Sequence, residues 1–166
     1  MRKSEKNEVN CVMKKTVLLI IISALAAALG YRYYVGQSGQ LEVVDQAYVK
    51  TNLGKPGVVL VDVRAEEIYN GKSPRQGIPG GHIAGAINFP LSNLTKVDAA
   101  DALAKAGITK DAKIIVYCNT GNQSGTFAGK LVEQFGFDPA KVKNYRGSVT
   151  DWVKDPANKL EPEGHD

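Results

Sequence analysis

Two short runs of apolar, mostly β-branched residues, "VVLVDV" at 58–63 and "AKIIVY" at 112–117, constrain this 166-residue chain more than any other feature. A strand with one wet face alternates polar and apolar residues, so runs this continuous belong to strands covered on both sides. Each is followed by a polar loop or turn and then by helical spacing: "AEEIY" after the first, and 124–135 after the second, with Phe127, Leu131, Val132 and Phe135 apolar. Elsewhere Asp45 caps a short helix to about residue 53, "GKPG" breaks it, "AINFP" is a brief strand, 98–106 is a helix ended by Gly107, and "KVKNY" at 141–145 is a further strand. Strand, loop and helix in repeated succession predict an α/β fold, a parallel sheet with helices on both faces.

The formal charge of +4 is unevenly placed. Residues 1–30 hold five Lys/Arg against two Glu, which leaves sixteen against fifteen for the rest. The body is thus nearly neutral and has no basic stripe interleaved with aromatics, so nucleic-acid binding is not expected. The basic leader "MRKSEKNEVNCVMKK" precedes the apolar run "TVLLIIISALAAALG", a predicted N-terminal hydrophobic helix for export or membrane attachment. As a helix, 16–30 reaches roughly 22 Å, short of the roughly 30 Å of bilayer hydrocarbon, which favours a cleaved signal peptide. Tyr31, Arg32, Tyr33 and Tyr34 resemble an interfacial belt that extends the span to 16–35 and favours an uncleaved anchor. Either places the remainder in the periplasm or another extracytoplasmic space. "GQSGQ" at 36–40 reads as a tether. Cys11, ahead of the apolar run, would end on the opposite side from Cys118 or be lost, so no disulfide between them is expected.

Cys118 stands where the second buried strand gives way to "CNTGNQSG". In open parallel sheets ligands bind beyond the carboxyl ends of the strands, which is this edge. The loop of Cys118, Asn119, Thr120, Gly121, Asn122 and Gln123 leads to Ser124, the expected N-cap of the next helix. Its N–H groups can curl inward around the sulfur as an anion nest. Such a nest favours thiolate over thiol. Lowering a cysteine pKa by two units takes about 2.7 kcal/mol, whereas a helix terminus typically contributes about 0.3–1 kcal/mol. Several loop N–H groups must therefore share the task, which explains small residues with Gly121 at their centre. A thiolate held this way needs no neighbouring histidine, and the two histidines, His82 and His165, lie elsewhere in the sequence.

These segments resemble the rhodanese-like sulfurtransferase family. "VVLVDVRAEEIY" is similar to its Asp-Val-Arg strand and helix, "GGHIAGAINFP" to its Gly-His-Ile segment, "IIVYCNTGNQSG" to its active-site loop, and "NYRGSVTDW" to its terminal strand and Gly-Ser/Trp turn. The resemblance covers 41–155 and leaves 156–166 as a C-terminal tail. It implies a rhodanese-like fold and a ping-pong reaction. The Cys118 thiolate takes the outer sulfur of a small anionic donor such as thiosulfate, and the resulting persulfide passes it to cyanide, a thiol or a sulfur-accepting protein. No metal or organic cofactor is implied. A persulfide carrier or sulfide-binding module that does not turn over small donors is the alternative. The related phosphatases and arsenate reductases have one more loop residue and a closing arginine, where this chain has Ser124, so phosphoryl chemistry is disfavoured.

Many single-domain relatives hold the donor's oxyanion with a loop arginine, where this chain has Asn122 and Gln123. "YNGKSPRQGIPGGHI" resembles a segment of the two-domain thiosulfate and mercaptopyruvate sulfurtransferases, in which an arginine at the place of Arg75 contacts the substrate anion. The resemblance thus assigns the missing charge to Arg75, with Lys72 as the weaker candidate. Asp62 and Arg64 are expected to form a structural ion pair or cap, His82 to fix its loop by hydrogen bonds, and Trp152 to anchor the core.

Overall fold

The computed structural model describes residues 41–162, together with Ser23 and Leu25 in a helical stretch. The remainder of the leader, Cys11, the tether and residues 163–166 lie outside the described residues. Among the described residues no helix is long and apolar enough to cross a membrane.

In chain order the elements are β1 (Glu42–Val44), α1 (Gln46–Asn52), β2 (Val58–Asp62), α2 (Glu66–Tyr69), β3 (His82–Ile83), β4 (Ile87–Asn88), a 3-10 turn (Leu91–Thr95), α3 (Ala99–Lys105), β5 (Lys113–Tyr117), α4 (Asn122–Glu133), β6 (Val142–Tyr145), α5 (Ser148–Trp152) and β7 (Leu160–Glu161). Five strands form one sheet in the order β1-β6-β5-β2-β4, and every pairing within it is parallel. The two apolar runs are its centre: β2 pairs β5 with Val58 opposite Lys113 and Asp62 opposite Tyr117.

Successive residues of a strand point to opposite faces, and here both faces are covered. Ile114 and Val116 pack with Val61, Phe127, Leu131 and Leu103 on the side of α3 and α4. Ile115 and Tyr117 pack with Leu60, Val49, Val149 and Trp152 on the side of α1 and α5. The expected parallel sheet with helices on both faces is what the chain forms.

Asp45 caps α1, its carboxylate accepting the Tyr48 N–H at 2.8 Å. Three differences from the sequence reading matter. The segment 70–85 is not wholly loop, because His82–Ile83 form β3. Part of the expected tail 156–166 returns to the body: Leu160–Glu161 form β7, which pairs antiparallel with β3, Ile83 opposite Leu160, and Leu160 is buried. The helix after the cysteine begins at Asn122 with Gly121 as its N-cap, so Ser124 lies within its first turn and not at the cap.

Candidate active site

β5 ends at Tyr117, and the next residue, Cys118, is a free thiol 2% exposed at the base of the turn into α4. The turn is closed by Gly121 at φ 90°, a left-handed backbone that glycine adopts without the steric cost of a side chain. That conformation aims the Gly121 N–H at Sγ of Cys118, 3.1 Å away. Burial pushes the Cys118 thiol up, but the Ser124 N–H and hydroxyl and the N–H groups of Thr120 and Gly121 outweigh it, holding the thiol below its ordinary value. The Ser124 hydroxyl also donates to Oδ1 of Asn144 at 2.7 Å. It carries one proton, so it serves the sulfur only by releasing Asn144. The backbone donors face no such competition.

A second segment supports the sulfur from the start of α5, just past β6. Ser148 Oγ accepts the Cys118 N–H at 3.1 Å, donates to the Tyr145 carbonyl at 2.8 Å and lies 3.9 Å from Sγ. Its own φ is 54°, an uncommon conformation for a residue with a side chain. The Val149 and Thr150 N–H groups donate to the carbonyls of Cys118 and Asn119, at 3.2 and 3.1 Å. The main chain of Cys118 is thereby fixed on the side away from its own loop.

A third support is buried charge. Asp62 at the end of β2 and Arg64 just beyond it form an ion pair of 2.6 Å with both side chains fully buried. The same guanidinium donates to Oδ1 of Asn119 at 3.2 Å and to the Gly81 carbonyl, so it ties the cysteine loop to the glycine-rich segment before β3. His82 stacks on Tyr69 with ring centroids 3.6 Å apart, and its Nδ1 lies 3.0 Å from the Tyr69 carbonyl. Trp152 is buried and donates its indole N–H to the Lys159 carbonyl.

Of the residues singled out from sequence, Cys118, Thr120, Gly121 and Ser124 meet at the sulfur, and Asn119 is held beside it by Arg64. Asn122 and Gln123 are exposed on the outer first turn of α4. Arg75 is exposed in a turn where its carbonyl accepts the Ile78 N–H at 3.1 Å and the Ser73 hydroxyl at 3.0 Å. No hydrogen bond or ion pair among the described residues joins Arg75 to the cysteine loop. Sequence reasoning missed Ser148, Asn144 and the reach of Arg64 to Asn119. The Gly-Ser pair at 147–148, just past a strand, was the available signal for the first, since it marks a tight turn.

A buried sulfur held by main-chain N–H groups on an αL turn at the carboxyl edge of a parallel sheet defines a class of loop-cradled cysteine domains. The family profile of the rhodanese-like domain matches residues 45–155, and the chain belongs to that family. A thiosulfate sulfurtransferase of Pseudomonas aeruginosa is 31% identical over 122 residues, 69% of this chain and 44% of that protein. The sulfur carrier protein TtuD of Thermus thermophilus is 34% identical over 119 residues, 63% of this chain and 40% of its own length. The chain therefore spans less than half the length of these relatives. Among solved structures, an anaerobic ergothioneine biosynthesis enzyme from Chlorobium limicola, in complex with trimethyl histidine, superposes with a TM-score of 0.66 at 25% identity. That match covers 74% of this chain and 28% of the other.

Proposed function

We propose that this protein is a sulfurtransferase in which Cys118 accepts a sulfane sulfur and passes it on as a persulfide. One observation carries the reading: the Cys118 sulfur is ringed by main-chain N–H donors, with Gly121 at 3.1 Å, and its thiol lies below the ordinary value despite burial. The relatives named as a thiosulfate sulfurtransferase and a sulfur carrier support the same chemistry. In the loading step the thiolate attacks the outer sulfur of a thiosulfate-like donor. The new bond joins Sγ to that sulfur, the donor's S–S bond breaks, and sulfite departs with its electron pair. The persulfide anion left behind occupies the same donor ring. In the unloading step a thiolate or cyanide attacks the terminal sulfur and Cys118 regains its thiolate. The domain needs no metal or organic cofactor for either step.

Thiosulfate is a dianion approaching an anion. Two unit charges about 4 Å apart repel by about 1 kcal/mol in water and about 4 kcal/mol at an effective dielectric of about 20. The loop has no arginine to offset this, which favours a second reading, a carrier that is loaded slowly and hands its sulfur to a protein partner without turning over small donors. The full-length protein is incubated with thiosulfate and the peptide containing Cys118 is weighed; a gain of one sulfur atom is expected. Added cyanide is expected to release that sulfur as thiocyanate. Sulfur gain without thiocyanate would select the carrier. Thiocyanate formed by a Cys118→Ser protein would refute both. The leader is proposed to place the domain outside the cytoplasm, as a cleaved signal peptide or an anchor through 16–35. Fractionation and the mass of the mature N-terminus distinguish these two, and full-length protein in the cytosol would refute export.

A further inference from the structure

Past β6 the chain packs against the cysteine loop at Gly121, and the residue in contact is Arg146. A Cβ placed on Gly121 would lie 2.3 Å from the Arg146 carbonyl oxygen and 2.8 Å from the Arg146 Cγ. Gly121 is the residue whose N–H reaches the sulfur. The aliphatic stem of Arg146 is therefore laid against the outer side of the donor ring, and its guanidinium carbon lies three single bonds beyond the point of contact.

The anchor of this side chain is firm and its head is free. The next residues are fixed to the loop: Ser148 Oγ accepts the Cys118 N–H, and the Val149 and Thr150 N–H groups donate to the Cys118 and Asn119 carbonyls. Arg146 itself is exposed, and among the described residues its guanidinium makes no hydrogen bond or ion pair. The nearby carboxylate of Asp151 accepts from the Tyr145 hydroxyl at 3.0 Å and pairs with Lys154 at 3.3 Å. The other arginine at the loop, Arg64, is buried and committed to Asp62, so its charge is already balanced.

We propose that Arg146 is the residue that selects anionic sulfur donors at Cys118, its guanidinium pairing with the terminal oxygens of a thiosulfate or organic thiosulfonate while the donor's sulfane sulfur faces Sγ. The inference rests on the sulfur-transfer reading and supplies the cation that the loop lacks. A planar guanidinium matches two sulfonate oxygens at once. Its position on the rim lets it accompany the departing sulfite, which carries away the electron pair of the broken S–S bond as the persulfide anion stays in the ring.

The test compares alkylation of Cys118 in the full-length protein by anionic iodoacetate and neutral iodoacetamide, read on the Cys118 peptide so that Cys11 does not contribute. In Arg146→Gln the ratio of anionic to neutral rates is expected to fall about two- to fivefold, the effect of one solvent-facing charge pair. Arg146→Lys is expected to recover most of it, and added salt to erode the ratio in the unmodified protein. The Michaelis constant for thiosulfate should rise by a similar factor in Arg146→Gln, with little change for a neutral trisulfide donor. A ratio unaltered in Arg146→Gln overturns the proposal, as does a fall seen in Arg75→Gln instead. Alkylation requires no sulfur transfer. A protein that shows the Arg146-dependent charge preference but never gains sulfur would refute the transfer reading and keep the anion site.

Discussion

Gly121 shows how one residue couples backbone shape to chemistry. Its φ of 90° would cost an alanine about 1–2 kcal/mol, and the added Cβ would meet the Arg146 carbonyl oxygen at 2.3 Å. Gly121→Ala is therefore expected to lower stability by about 2 kcal/mol or more, measured by urea unfolding. It should also turn the N–H away from the sulfur. In the unmodified protein the Cys118 thiol lies below its ordinary value of 9.0, so thiolate reactivity should rise with pH to a midpoint below that value. The iodoacetamide rate against pH reads this midpoint, and Gly121→Ala should move it upward. The linkage has a definite sign. A depressed thiol pKa adds stability above the unfolded-chain value and loses it as pH falls through the folded value. The glycine was legible in the sequence as the centre of a small-residue loop. Ser148 was not, because its role depends on a φ of 54° and on a strand thirty residues away.

Elements set the position of the sulfur, and β2 contributes as much as β5. Their register brings Asp62 opposite Tyr117, the residue before Cys118, so the buried Asp62–Arg64 pair sits beside the loop and reaches Asn119. Asp62→Ala leaves a buried guanidinium unpaired and is expected to cost about 3–5 kcal/mol. Adding Arg64→Met should restore part of that loss, a coupling that thermal unfolding of the single and double variants measures. The strands were readable because continuous apolar runs have few alternatives. The start of α4 was misplaced for a local reason. Serine is the stronger N-cap by composition, but the turn demanded by Gly121 starts the helix at once, and Ser124 faces Asn144 on β6. A capping preference is a near-neighbour effect, and a partner twenty residues away overrides it.

At the scale of the molecule, the C-terminal end of the described body folds back onto its middle. β7 pairs with β3, Leu160 enters the core cluster of Val49, Tyr117 and Trp152, and the Lys159 carbonyl takes the Trp152 indole N–H. Removing 156–166 should cost at least the burial of Leu160, about 1.5–3 kcal/mol. A lower melting temperature and faster amide exchange across His82–Ile83 are the expected outcomes. The segment read as a tail because "DPANKLEPEGHD" holds one large apolar residue, which is no pattern at all. Sequence alone determined the parallel sheet, the place of Cys118 at its carboxyl edge and the kind of loop around it, since these follow from runs of neighbouring residues whose periodicity and backbone freedom are local properties. Tertiary structure decided which distant groups meet the cysteine loop, Ser148 at Cys118, Arg64 on Asn119 and Arg146 against Gly121, because pairwise contacts across strands depend on register and crossing geometry that no short stretch encodes.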